Sequence, residues 1–415
     1  MAGTEQRAAT FRQVFALREF QAVFAGQLVS VAGDQLARVA LSVLVFDRTR
    51  SPGWSALTYA LTYLPDVVAG PLLSGLADRW PRRQVMVVAD VARAVTVALM
   101  AIPGMPLVLV GALLVLVQSI GAPGNAARAA TLAVALSGDR YVLGKSVMDI
   151  TVQLSQVIGF ATGGILVAGI GVSQGLLADA ATFLASAMLV RFGIRARPKP
   201  STPGSEPGRW WPSLRAGAVL VATTPKLRAL VAVACVAGFY VTVEGLAAPY
   251  AAELGGGPQA LGLLLAASPA GAVVGMWIVS RWAPATRLRL LGPLAIASCV
   301  PLTLCALHPG LAVTVLLWFL SGAASAYHLP ASAEFVRAVP DNRRGQAFGL
   351  AAAALKTSQG LGIVLVGAGA EYAVPSTVIA VTGGLGVLAA AAAGLAWRRA
   401  RREPSSLGSD TADPV

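Results

Sequence analysis

Residues 55–83 read SALTYALTYLPDVVAGPLLSGLADRWPRR. The stretch 55–77 carries one charge, Asp66. As a helix rising ~1.5 Å per residue, it is long enough to cross the ~30 Å hydrocarbon core of a bilayer. It stops at a charged island, Asp78-Arg79-Trp80-Pro81-Arg82-Arg83. An apolar run closed by a short basic island is the pattern of a membrane-spanning helix and its loop.

The same pattern recurs along the chain. Twelve spans are predicted: 21–46, 55–77, 84–103, 106–127, 146–168 and 173–192, then 229–252, 260–280, 288–306, 311–333, 346–369 and 376–397. The composition agrees. Of 415 residues, 56% are hydrophobic and 12% charged, against about 25% charged in a soluble domain. Mean hydropathy is +0.70. The runs are continuous and rich in Ala, Leu and Gly, which excludes the alternating strands of a membrane barrel. The fold class expected is therefore an all-α integral membrane protein of twelve transmembrane helices.

The net charge of +13 does not indicate nucleic acid. With the N-terminus inside, 28 of the 32 lysines and arginines fall on inner segments, so topology explains the excess. Both termini are expected in the cytoplasm and the protein in the plasma (inner) membrane. Cys235, Cys299 and Cys305 all lie in apolar runs and form no disulfide framework or metal-ligand spacing. The first 19 residues hold Arg7, Arg12, Arg18 and Glu19 without an apolar segment, so no cleavable signal is expected.

The longest polar stretch, Arg191 to Lys226, contains Pro198, Pro200, Pro203 and Pro207 and reads as a semi-stiff connector. It divides the chain into an N-terminal bundle, 1–193, a connector, 194–226, a C-terminal bundle, 227–400, and a disordered tail, 401–415. The halves repeat. Ser155-Gln156-Val157-Ile158-Gly159 with Gly164 matches Ser358-Gln359-Gly360-Leu361-Gly362 with Gly367 at an offset of 203. Pro65 and Arg79-Trp80 are echoed by Pro269 and Arg281-Trp282 at offsets of 204 and 202. Duplicated six-helix units with a substrate site between them near the midplane are a known transporter plan.

The island after the second span resembles the signature loop of the major facilitator superfamily, with Gly75, Asp78, Arg79, Arg82 and Arg83 matching and Pro81 in place of a glycine. Gly33-Asp34-Gln35-Leu36-Ala37-Arg38, together with Asp90 and Arg93 in the third span, is similar to the efflux branch that includes siderophore and macrolide exporters. Gly159, Gly163 and Gly164 resemble an antiporter motif, with Phe160 where that motif has proline. The resemblance implies two pseudo-symmetric six-helix bundles working by alternating access. It also implies a gate in which Asp78 meets the start of span eleven near Arg343-Arg344-Gly345. Physically, an Asp fits a helix N-terminus because free amides and the dipole favour an anion there.

Charges at bilayer depth cost at least ~2.5–3.5 kcal/mol on insertion scales, so they mark candidate sites. They are Asp34 and Arg38 in span one, Asp66 in span two, Asp149 in span five, Glu244 in span seven, His328 in span ten and Lys356 in span eleven. The resemblance places all these spans around a central cavity and spans three, six, nine and twelve outside it. Asp34 is about 20 Å deep at ~1.5 Å per residue. It is the first candidate proton carrier, followed by Asp66 and Glu244; the alternative for Asp34 is a structural pair with Arg38 one helical turn away. Substrate or cavity candidates are Arg38, Gln118, Asp149, Gln153, Gln156, His328, Lys356 and Gln359, though membrane glutamines also bridge helices.

The function expected is a secondary transporter, a proton-coupled exporter of a small amphipathic organic molecule. Its alternatives are an importer or facilitator on the same plan and a non-transporting sensor. No P-loop, Gly-x-Ser-x-Gly or metal-ligand cluster points to an enzyme or to ATP as the driver. No cofactor other than a proton gradient is expected. The partners are a small-molecule substrate and the lipid bilayer, with no nucleic acid, and the functional unit is a monomer.

Overall fold

The computed structural model describes residues 10–65, 67, 80–136, 139–197, 210–340 and 343–402. Four sequence-predicted site residues, Asp66, Gly75, Asp78 and Arg79, lie outside them. So do connector residues 198–209 and the tail from 403. Among the described residues the chain is helical throughout, without strands. Nine of its helices are long and apolar enough to cross a membrane. The other three spans are the second, described through its first part; the third, Arg82–Met100, which carries four charges; and the ninth, the shorter apolar stretch Leu291–Leu307. Among the described residues this all-helical arrangement agrees with the twelve-helix, two-bundle membrane fold expected from the sequence.

Most helix ends fall within a few residues of the predicted runs. Span one runs Arg18–Thr49, span six Val172–Gly193 and span twelve Pro375–Ala400. Span four departs most. It runs Leu107–Ala135 rather than stopping at 127, and the extra turns carry Arg128 into the bundle. By the predicted span end at 127, Arg128 falls in the inner loop; in the fold it is buried. The connector is also more structured than its prolines imply, since Trp210–Thr223 is a helix. Its Gly217 packs on the Gln346 backbone at the start of span eleven, where a Cβ would come within 2.4 Å of the Gln346 carbonyl oxygen.

The sequence repeat is a packing repeat. At Gly159 an added Cβ would reach 2.7 Å from the Ala32 carbonyl oxygen of span one; at its counterpart Gly362 it would reach 2.1 Å from that of Gly238 in span seven. Five residues on, Gly164 meets Pro258 and Gly262 of span eight, and Gly367 meets Gly53 and Ala56 of span two. Spans five and eleven therefore each grip a helix of their own half and then cross to the other. Only glycine allows backbones this close.

Two cavity-facing spans of the second half are broken. Span seven is built from Pro225–Cys235, Ala237–Tyr240, Thr242–Gly245 and Ala247–Glu253. Span ten runs Leu311–Ala324, passes through a 3-10 turn, Ser325–Tyr327, and resumes as His328–Ala338. Interrupted helices inside a membrane are tolerated where they are buried in protein or line a cavity, and both breaks lie at the level of Tyr240, Glu244 and His328.

Candidate functional site

Two charged networks staple the N-terminal half. Arg128 at the inner part of span four donates from Nη2 to both carboxylate oxygens of Asp90, at 2.8 and 2.7 Å. Ser186 of span six donates to Asp90 Oδ2 at 2.7 Å, and Arg128 Nη1 donates to Gln27 Oε1 of span one at 3.1 Å. Side-chain exposure is 6% for Arg128 and 2% for Asp90. Four helices are thus joined through one ion pair whose carboxylate is almost fully dressed.

The second network corrects a sequence expectation. Asp34 does not pair with Arg38. It accepts from Arg93 Nη2 of span three at 2.8 Å, and the Arg93 guanidinium lies 4.0 Å from the Phe183 ring centroid. Asp179 of span six interacts electrostatically with both Asp34 and Arg93 and accepts from Thr182 Oγ1 at 3.2 Å. Asp90, Arg93 and Asp179 also show that spans three and six bury charge, which the sequence had assigned to the cavity-lining spans. Asp179 was legible by the rule that found Asp34: it is a carboxylate in the middle of the apolar run 173–192.

Arg82 and Arg83 of the signature loop bind within their own half. Arg82 Nη1 donates to the Ala130 carbonyl at 3.0 Å and Arg83 Nη1 to the Ile194 carbonyl at 3.2 Å. They cap the C-terminal parts of spans four and six, where the dipole favours a cation.

Between the halves at mid-depth lies a cavity of about 410 Å³, within the ~300–1,000 Å³ typical of small-molecule sites. Arg38, Gln153, Gln156, Glu244, His328 and Gln359, all singled out from the sequence, line it together with Tyr63 and Tyr240. Three candidates do not line it. Gln118 bridges helices, donating to the Thr62 carbonyl at 2.8 Å. Asp149 is exposed and bonded to Lys145; it sits one turn before Gln153 on the same face of span five. Lys356 stands behind Tyr63, its Nζ 4.7 Å from the ring centroid.

Around Tyr63 the two halves meet through charge. The Tyr63 hydroxyl of span two donates to Glu244 Oε2 of span seven at 2.7 Å. The Arg38 guanidinium of span one is 5.7 Å from the Tyr59 centroid and 5.8 Å from that of Tyr63. Arg38 and Lys356 both attract Glu244 electrostatically. One carboxylate of the second half thus faces a cation from each half across a tyrosine. Alongside, the Tyr240 hydroxyl and His328 Nε2 share a hydrogen bond of 2.9 Å, and Tyr327 stacks on the imidazole at 4.4 Å.

The cavity is sealed on the side away from the chain termini. There the Gly164–Gly262 and Gly367–Ala56 contacts close the helices together. Glu371, just past span eleven, accepts from the Gly53 amide at 2.7 Å and from the Ser51 hydroxyl. Ser51 is the N-cap of the helix that opens span two, so a carboxylate of one half caps a helix of the other. The described hydrogen bonds that join the halves lie at mid-depth and at this distal end. If the seal is a lock, Glu371→Gln is expected to loosen it. With Ser55→Cys, a near-isosteric probe at a site 2% exposed, maleimide labelling should speed up several-fold in the Glu371→Gln background. An unchanged labelling rate would show that Glu371 does not hold the distal end shut.

Comparison with known proteins agrees with this fold. The family model described as Major Facilitator Superfamily matches residues 23–307 and 230–413. No curated protein matches by sequence. Among solved structures, a mutant of the nucleoside transporter NupG superposes with a TM-score of 0.73 at 12% identity, covering 92% of this chain and 99% of that one. A POT family transporter in complex with 5-aminolevulinic acid gives 0.73 at 11%, covering 92% and 97%. A bacterial homologue of the iron transporter ferroportin in an inward-facing state gives 0.66 at 13%, covering 95% and 100%. With the repeat, the twelve spans and the family match in agreement, this chain belongs to the Major Facilitator Superfamily and is a transporter rather than an enzyme.

Proposed function

We propose that the protein is a proton-driven exporter of small amphipathic organic molecules, set in the plasma (inner) membrane with both termini in the cytoplasm and acting as a monomer. The observation that carries this reading is the cluster of Arg38, Tyr63, Glu244 and Lys356, which ties the halves together beside the cavity. A proton on Glu244 removes the charge that both cations attract and weakens the tie. Substrate in the cavity competes for the same groups. Proton and substrate therefore bias the halves toward different arrangements, which is the requirement for coupling. Asp34, held by Arg93 and outside the cavity lining, takes the part of a fixed charge within the N-terminal half.

With the termini cytoplasmic, the sealed end faces the outside. Glu371 locks it by capping the start of span two. Asp78, outside the described residues, is the acid that the signature-loop resemblance assigns to the corresponding lock of the opposite state, where it would cap the start of span eleven. Export, rather than import, rests on the likeness of Gly33–Arg38 and of Asp90 with Arg93 to the efflux branch. The driver is the proton gradient; the chain takes no other cofactor and does not engage nucleic acid.

The test is functional. Cells overproducing the protein, and cells lacking it, are compared across a panel of amphipathic antibiotics and dyes. Inverted vesicles are then acidified and challenged with the compounds whose tolerance changes. The proposal expects those compounds to dissipate the pH gradient only when the protein is present. Compounds that accumulate in right-side-out cells through the protein would make it an importer instead.

A further inference from the structure

A second cavity has no part in the central site. It is a groove of about 660 Å³ on the second half, between the first helix of span seven, Pro225–Cys235, and the last turns of span twelve. Seven alanines line it, including Ala229, Ala232, Ala392 and Ala396, and at the end nearer the termini it opens between Arg228 and Arg399. No acidic residue lines it. From Ala389 to Ala400 the groove follows span twelve for about 16 Å at ~1.5 Å per residue, close to the ~15 Å of one leaflet's hydrocarbon. Ala232, Ala392, Ala396 and both arginines are exposed.

The matching place in the first half is shut. There spans one and six touch through small residues: an added Cβ on Gly193 would come within 2.2 Å of the Ala22 Cβ, and one on Gly26 within 3.1 Å of Ser186 Oγ. The groove is therefore a feature of the second half and not of the repeat.

We propose that this groove is a binding site for an anionic phospholipid, one acyl chain lying in the alanine slot and the phosphate between Arg228 and Arg399. The slot offers the chain smooth apolar walls. Its mouth offers two guanidiniums, which suit phosphate by geometry as well as charge. Arg228 spends one N–H on the Ala222 carbonyl at 3.1 Å, which orients the head and leaves its other donors for the ligand. Basic pockets between spans on the cytoplasmic side are a recurring form of headgroup recognition.

The experiment is native mass spectrometry of the purified, delipidated protein titrated with dioleoylphosphatidylglycerol or dioleoylphosphatidylcholine. The wild type should hold one phosphatidylglycerol several-fold more tightly than phosphatidylcholine. Arg228→Gln with Arg399→Gln should remove that preference. Arg398→Gln with Arg402→Gln, which lowers the charge equally outside the groove, should keep it. Ala392→Trp fills the slot while leaving both arginines in place and should also weaken the bound lipid. Equal losses in the two arginine pairs, or undiminished binding in Ala392→Trp, would overturn the site in favour of a general attraction between the basic end and anionic lipid. Displacement of the lipid by glycerol phosphate alone would assign the site to a soluble anion and would equally overturn it.

Discussion

Glu244→Gln is expected to abolish uphill transport while leaving a folded protein that still binds and exchanges substrate. The glutamine keeps the shape and can still accept from Tyr63, but it can neither attract Arg38 and Lys356 nor take up a proton. A hydrogen bond to a charged acceptor is worth ~1.5–3 kcal/mol, so neutralising it moves the balance between the two states by about 10–100-fold. Exchange at equilibrium needs the halves to rock but no net proton movement, so it survives. The assay is pH-gradient-driven uptake into inverted vesicles beside substrate counterflow in the same preparation. Asp34→Asn serves as the comparison and is expected to lower expression instead, because it leaves Arg93 buried with its main partner gone. Uphill transport by a well-expressed Glu244→Gln protein would remove Glu244 as the coupling carboxylate, and Asp34 with Asp179 would then take its place.

Arg128→Leu should produce the largest loss of stability in the chain. It leaves Asp90, 2% exposed in the centre of span three, with Ser186 alone as a hydrogen-bond donor. A lone charge at such a depth costs ~2.5–3.5 kcal/mol. Expression and thermal stability in detergent should both fall sharply. Removing the charge as well, in Asp90→Asn with Arg128→Gln, should recover most of the loss, since breaking a buried pair is worse than replacing it. A single Arg128→Leu variant as stable as the wild type would mean that the four-helix network contributes little to the N-terminal half.

Local pattern made much of this legible. Apolar run length gave the spans, and the glycines at an offset of 203 gave a repeat whose meaning is backbone contact. The cavity residues were legible because charge or amide at bilayer depth is rare enough to be informative one residue at a time. Pairing was not legible. Asp34 and Arg38 are one turn apart, which made them natural partners, but the crossing of spans one and three brings Arg93 closer from 59 positions away. Arg128 read as a loop residue because hydropathy ends before the helix does. Tyr63 was hidden by its own apolarity; a tyrosine in a span has no signal until the helix opposite is known. Glu371 lay in a short distal loop, and its role depends on which helix start the other half presents there. The breaks in spans seven and ten left no trace in hydropathy, because the residues at the joints, such as Val236, Val241 and Ala326, are as apolar as their neighbours.

Alternating access requires the two halves to rock about the cavity, and paired spin labels measure that directly. In a background with Cys235, Cys299 and Cys305 replaced, one pair at Arg48 and Tyr372 spans the distal end and another at Lys145 and Arg337 spans the end near the termini. All four positions are exposed. When pH is lowered or a transported compound is added, the distal distance should lengthen as the other shortens, or the reverse, and Glu244→Gln should fix the balance at the protonated position. Both distances changing in the same sense, or neither changing under any condition, would contradict alternating access in this protein.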